Sequence, residues 1–214
     1  MNRWVIVAGG DTSAAELREV KQEDRLVAVD GGVITLRKAQ IPFHIAVGDF
    51  DTIGPAAVAE LKESGVQVEE LPREKDMTDT QAAVELALAE GAEEILILGA
   101  LGGARFDHSL ANLFLLERIH SAGAQGVLCD RNNRLRLYIG DGRKMELPRG
   151  RFQYISLLPL SEQVEGLHLE GFRYPLSGAT LLRRHPMGIS NEWAAPVAKL
   201  SAVSGTLLVV ESKD

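Results

Sequence analysis

Four polar clusters in the first half of this 214-residue chain carry the residue types that bind metals and phosphates. They are Asp30-Gly31-Gly32, Gly48-Asp49-Phe50-Asp51, Lys75-Asp76-Met77-Thr78-Asp79, and the run Gly99-Ala100-Leu101-Gly102-Gly103-Ala104-Arg105-Phe106-Asp107-His108. Carboxylates at i and i+2, as in Asp49 and Asp51, can both face one hard cation where the chain leaves a strand for a loop. Mg2+ takes few carboxylates, keeps several waters and binds substrate phosphate oxygens. A phosphate cradle is available in the backbone N–H groups of Gly102-Gly103 and the helix start that follows. Arg105 would be its side-chain clamp.

Each cluster has a structural explanation when taken alone. Asp79 complements a helix dipole, Asp107 suits an N-cap, and glycines end strands as turn residues. Taken together they point to a ligand. Four acidic clusters on one sheet edge repel each other unless a cation compensates. Other nucleotide and hydrolase signatures are missing. The sequence has no Gly-x-x-x-x-Gly-Lys-Ser/Thr and no Gly-x-Gly-x-x-Gly after its first apolar run. It has no Gly-x-Ser-x-Gly elbow. His44, His108, His120, His168 and His185 show no metal-ligand spacing; His120 is expected on a helix surface and His168 on a strand.

The elements that must position these clusters change character along the chain. Up to about residue 130, short apolar runs at 4–8, 26–29, 45–47, 66–71, 95–98 and 127–129 alternate with amphipathic segments at 13–20, 33–40, 55–64, 78–90 and 107–121. Near-continuous apolar strands belong to a parallel sheet covered on both faces. Ser13 with Glu16 and Thr78 with Gln81 match the capping-box pattern, and Pro55 suits a first helical turn. Gly65, Gly91 and Gly123 fall just past helices, where a left-handed residue is wanted. In such open sheets, ligands bind beyond the carboxyl ends of the strands, where all four clusters lie. After residue 130 the segments are short, often alternating and separated by turn residues such as Gly140-Asp141-Gly142, Pro148-Arg149-Gly150 and Ser204-Gly205. The expected architecture is α/β: an open, mostly parallel sheet with flanking helices over 1–130, then an antiparallel β-sandwich over 131–214.

Composition excludes several partners. With 45% hydrophobic and 25% charged residues the chain is ordinary globular protein. A formal net charge of −7 argues against nucleic acid, which needs clustered Lys and Arg. The apolar run at 4–8 is too short for a signal peptide, and no apolar stretch reaches the roughly 20 residues that span a bilayer. The single cysteine, Cys129, cannot form an internal disulfide, which favours a cytoplasmic setting, and it reads as a small core residue.

The ordered set Asp30-Gly31-Gly32, Gly48-Asp49-Phe50-Asp51, Asp76-x-Thr78-Asp79, Gly102-Gly103-x-Arg105-x-Asp107-His108 and Gly188-Ile189-Ser190-Asn191-Glu192 resembles bacterial thiamine pyrophosphokinases over nearly the whole chain. Thr52 departs from the serine common in that family, and Lys75 from the glutamine of its eukaryotic members. The resemblance implies transfer of a diphosphate from Mg-ATP to the hydroxyl of thiamine, giving thiamine diphosphate and AMP. It implies a homodimer with active sites between subunits, the α/β domain holding Mg-ATP and the β domain helping to hold thiamine. Asp49, Asp51 and Asp79 would gather around Mg2+, and Arg105 and Asp107 would line the substrate cleft. Asp30, Gly31, Gly32, Thr78, Gly102 and Gly103 would contact the nucleotide, and Ser190 and Asn191 the vitamin. Trp193 could stack on a cationic ring or could equally be a core or interface residue. Two rivals share part of the pattern: a Mg-dependent sugar-nucleotide transferase, and a non-catalytic thiamine or nucleotide sensor. The first leaves the clusters at 76–79 and 102–108 unexplained, and the second has no need of so many carboxylates.

Overall fold

Short β-branched and leucine-rich runs form six parallel strands in the first part of the chain. They are β1 (Arg3–Val7), β2 (Arg25–Val29), β3 (Ile45–Gly48), β4 (Gln67–Glu70), β5 (Glu94–Leu98) and β6 (Gln125–Cys129), in the spatial order β4-β3-β2-β1-β5-β6. The computed structural model describes residues 2–185 and 187–214, and the chain divides into two units, one closing at Arg131 and the other spanning Asn132–Asp214. Val5, Ile6, Val7, Val27, Ala28, Ile95 and Ile97 are fully buried, as strands covered on both faces require. β4 departs from that expectation. It is the outer strand, and its Glu69 and Glu70 are exposed, as suits an edge that must resist further pairing.

The helices between the strands are α1 (Ala14–Leu17), α2 (Gly32–Lys38), α3 (Gly54–Glu63), α4 (Asp79–Ala89) and α5 (Phe106–Ser121). α1 is shorter than its pattern predicts. The Glu16 carboxylate accepts both the Ser13 N–H and the Ser13 hydroxyl at 2.6 Å. Beyond Leu17 the chain turns with i to i+3 bonds and comes down to Asp24, which pairs with Arg3 at 2.8 Å. Gly65, Gly91 and Gly123 take φ of +83°, +75° and +85° past α3, α4 and α5, the left-handed stop their positions suggested. Successive strands step outward from β1 to β4, and the chain then crosses to the other side of β1 to lay down β5. The carboxyl ends of β1 and β5 therefore flank a topological switch point, the usual ligand crevice of an open sheet.

The second unit is all β. β7 (Asn133–Ile139), β13 (Thr206–Ser212) and β9 (Tyr154–Pro159) pair antiparallel in that order. β11 (Leu176–Leu182), β10 (Gln163–Glu170), β12 (Val197–Ser201) and β8 (Met145–Pro148) form a second antiparallel sheet. The turn-rich segments after β7, β8 and β12 are not hairpins; each carries the chain from one sheet to the other. Tyr138 secures the first of them. Its hydroxyl donates to the Arg143 carbonyl and accepts the Ala202 N–H, both at 2.8 Å, and burial raises its pKa. Cys129 and Trp193 are core residues, and the Trp193 Nε1–H donates to the Leu147 carbonyl at 2.8 Å. The indole is therefore not available for stacking on a ligand.

Candidate active site

The paired aspartates face one way because the residue between them is strained. Phe50, 4% exposed, anchors its ring in the core and takes φ +55°, so the chain reverses at the end of β3. The Asp51 N–H then donates to Asp49 Oδ1 at 3.2 Å. Asp30, at the end of β2, is also left-handed at φ +44° and brings a third carboxylate alongside. Oxygen atoms of Asp30, Asp49 and Asp51 all lie within 4.8 Å of one another. Thr52 ties the group together, donating to Asp30 Oδ2 at 2.6 Å with Asp51 Oδ1 3.3 Å away. Asp30 Oδ1 is buried and has no hydrogen-bond partner among the described residues. Like charges this close, with one orphaned oxygen, suit a hard divalent cation with an all-oxygen shell.

Asp79 stands outside that cluster of three. Thr78 caps α4 by accepting the Gln81 N–H at 3.1 Å, which puts Asp79 at the first helical position. Lys75 Nζ lies 2.8 Å from Asp79 Oδ1, an ion pair whose angles fall outside hydrogen-bond geometry. Asp30, Thr78 and Asp79 line the same cleft of about 500 Å³, together with Lys75, Gly102, Gly103, Arg105 and His108.

Gly102 and Gly103 take φ +79° and +80°, with open space where a Cβ would project. Only glycine adopts two such conformations in succession cheaply, and the turn leaves its backbone accessible to the cleft. Ser109 Oγ donates to the Gly102 carbonyl at 3.1 Å and fastens the turn to α5. Asp107 is not the N-cap its position suggested; Arg105 holds that place and Asp107 lies within the first turn. Arg105 grips Asp107 through both Nε and Nη2, at 3.2 and 2.5 Å. That hydrogen bond is the main reason the Asp107 carboxyl is held below its usual range and the Arg105 guanidinium above its own. Both side chains are exposed. Arg105→Lys is expected to lower turnover strongly while leaving the melting temperature unchanged, since a point charge replaces a planar fork. Unaltered kinetics for both substrates would make Arg105 a surface residue.

The fold itself requires glycine at positions 31 and 32. A Cβ on Gly32 would lie 2.0 Å from the Val7 carbonyl oxygen, and one on Gly31 would lie 3.3 Å from the Gly9 Cα. They let α2 start hard against the end of β1. Sequence reasoning missed Gly9 and Gly10, which follow β1 and line the cleft. Gly10 N–H donates to the Gly99 carbonyl at 3.0 Å, so the two loops at the switch point are joined directly. Their signal was a Gly-Gly pair directly after a strand, at the sheet edge where open α/β folds bind ligands.

In the second unit, Ser190 and Asn191 lie in the connection from β11 to β12. The 188–191 segment runs along the free edge of β9, where Leu157 N–H donates to the Gly188 carbonyl and Ile155 N–H to the Asn191 carbonyl, both at 2.7 Å. The Asn191 amide is buried and spent on the chain itself. It donates to the Tyr174 carbonyl at 2.9 Å and accepts the Tyr174 N–H at 3.0 Å and the Glu192 N–H at 2.9 Å. Ser190 is left-handed at φ +57°, its N–H bonded to Ser156 Oγ at 3.0 Å and its side chain exposed. The pair should therefore separate. Asn191→Ala is expected to lose about 1–3 kcal/mol of stability. Ser190→Ala, at an exposed side chain, should leave the melting temperature unchanged. Equal melting temperatures for the two variants would contradict this division.

An open parallel sheet carries three clustered carboxylates and a glycine-lined cleft at its carboxyl edge, residue types that suit a metal ion and phosphates. Residues 17–128 match the family model "Thiamin pyrophosphokinase, catalytic domain", and residues 144–207 match "Thiamin pyrophosphokinase, vitamin B1 binding domain". The chain is 32% identical over 211 residues to the thiamine pyrophosphokinase of Bacillus subtilis (strain 168), covering 98% of each protein. A crystal structure of thiamine pyrophosphokinase from Bacillus subtilis superposes with a TM-score of 0.89 at 29% identity, with 99% of each chain covered. One of a thiamin pyrophosphokinase family protein from Enterococcus faecalis gives 0.85 at 33%, again with 99% of each chain covered. The chain belongs to the thiamine pyrophosphokinase family and is an enzyme of that class.

Proposed function

We propose that this enzyme transfers the diphosphate of Mg-ATP to the hydroxyl of thiamine, releasing AMP. The observation that carries the metal part is the cluster of Asp30, Asp49 and Asp51, whose buried Asp30 Oδ1 has no hydrogen-bond partner among the described residues. These three carboxylates would hold Mg2+, which when bound neutralises phosphate charge and orients the polyphosphate. Transition states of such transfers are loose, so the protein's part is positioning and charge rather than strong base catalysis. Gly102-Gly103 and the start of α5 present N–H groups to the phosphates. Arg105 offers a bidentate donor once it releases Asp107. Asp79 lines the same cleft as the glycine turn and would guide the hydroxyl proton or the metal's outer waters. The residues 131–214, with Ser190 in its exposed loop, would hold thiamine. Acidic surroundings favour that cationic vitamin over neutral alcohols. The comparisons favour neither the sugar-nucleotide transferase nor the sensor.

A homodimer belongs to this reading. Phe106, Leu110 and Phe114 recur every fourth residue on α5 and are exposed, Phe106 to 76%. Such an apolar ridge suits a partner surface. A cytoplasmic setting fits a fold that has one buried cysteine and so no internal disulfide to lose on reduction.

AMP release measured with ATP, Mg2+ and thiamine, alongside calorimetry of each substrate, tests the reaction. AMP should form only when all three are present, and sedimentation should show a dimer at micromolar concentration. No AMP under saturating conditions would overturn the function, and a fully active monomer would overturn the assembly.

A further inference from the structure

The lysine and arginine side chains lining the 500 Å³ cleft are Arg73, Lys75 and Arg105. Two of them are already engaged: Lys75 with Asp79 at 2.8 Å, and Arg105 with Asp107 at 2.5 Å. Each must loosen a carboxylate before it can bind a phosphate. Arg73 has no such partner among the described residues. It lies in the connection from β4 to α4 and is exposed to solvent.

Arg73 has a second distinction. A neighbouring cavity of about 480 Å³ is lined by Asp49, Asp51, Lys62, Glu70 and Arg73. Lys62 there is tied to Glu70 by an ion pair. Arg73 is the one residue that lines both this carboxylate cavity and the glycine-lined cleft. A polyphosphate running from the metal carboxylates to the Gly102-Gly103 turn would pass it. A guanidinium with no ion pair to break, set between an acidic cluster and a phosphate cradle, is placed for bidentate phosphate binding.

We propose that Arg73 binds the diphosphate portion of ATP that is transferred, an assignment that rests on the thiamine pyrophosphokinase reading above. The transferred phosphates must lie at the metal, and Arg73 borders the metal carboxylates as well as the cleft. The leaving AMP would not engage it. Arg73 is thus a substrate-binding residue additional to Arg105, and the two cations would hold different parts of the nucleotide.

Calorimetric titration of the whole enzyme with Mg-ATP, with Mg-methylenediphosphonate and with AMP tests this. Arg73→Ala should weaken Mg-ATP and Mg-methylenediphosphonate by about ten- to a hundredfold, as for a lost charged hydrogen bond. AMP affinity, the Michaelis constant for thiamine and the melting temperature should not move. Arg73→Lys should recover part of the Mg-ATP affinity, because the charge remains and the fork is lost. Unchanged Mg-ATP affinity in Arg73→Ala, beside a wild type that releases AMP, overturns the role of Arg73 and leaves the function standing. An equal loss for AMP overturns the assignment to the transferred diphosphate. A wild type that neither binds Mg-ATP nor releases AMP overturns both.

Discussion

Asp49→Asn and Asp51→Asn are each expected to cut AMP formation by about a thousandfold or more, the scale of losing several kcal/mol of metal-borne charge stabilisation. The fold should not suffer. Asn at position 49 keeps the oxygen that accepts the Asp51 N–H, and either change relieves repulsion within a cluster whose oxygens lie within 4.8 Å of each other. Without Mg2+, both variants should melt at or above the wild-type temperature. The activity loss and the stability gain thus have opposite signs, a combination that general misfolding cannot produce. Added Mg2+ should raise the melting temperature of the wild type more than that of either variant, because a ligand stabilises the state that binds it. Near-normal turnover of both variants at saturating Mg2+ would remove these residues from the metal site.

Gly32→Ala is expected to be the most damaging small change in the first unit. Helix propensity alone favours alanine over glycine by about 1 kcal/mol inside a helix. Overlap decides against it. The new methyl would lie 2.0 Å from the Val7 carbonyl oxygen, a backbone atom in the central strand that cannot swing aside. Overpacking costs about 1–3 kcal/mol and occasionally more, and backbone overlap this deep belongs at the upper end or beyond. Urea denaturation should show the loss. Gly150→Ala, where a methyl meets nothing within 4 Å, is the neutral control. If Gly32→Ala were as stable as wild type but failed to bind ATP, Gly32 would contact the nucleotide and not merely seat the helix.

Asp30-Gly31-Gly32 shows how far a motif can be read. Its place at a strand's carboxyl end is legible, because apolar runs and turn residues follow local rules that need no neighbours. Its division of labour is not. Asp30 turns its carboxylate toward Asp49 and Asp51, while Gly31 and Gly32 give way to β1, a strand more than twenty residues earlier in the chain. Asn191 is a similar case. A polar residue in a loop suggests a ligand, yet its amide is consumed by Tyr174, because the edge of β9 and the β10–β11 hairpin bring that backbone alongside.

Periodicity, caps and composition determined the parallel α/β half, the switch to antiparallel strands after about residue 130, and the strand ends where ligands would bind. Those features arise from side-chain alternation and backbone preference within a few residues, so one sequence carries them. Tertiary structure alone decided that Asp30 joins Asp49 and Asp51 while Asp79 turns to Lys75, that Gly9 and Gly10 close the cleft against Gly99, and that the turns after β7, β8 and β12 change sheets. Each of these depends on strand order. The order follows from how the whole chain buries its apolar surface, and no local segment encodes it.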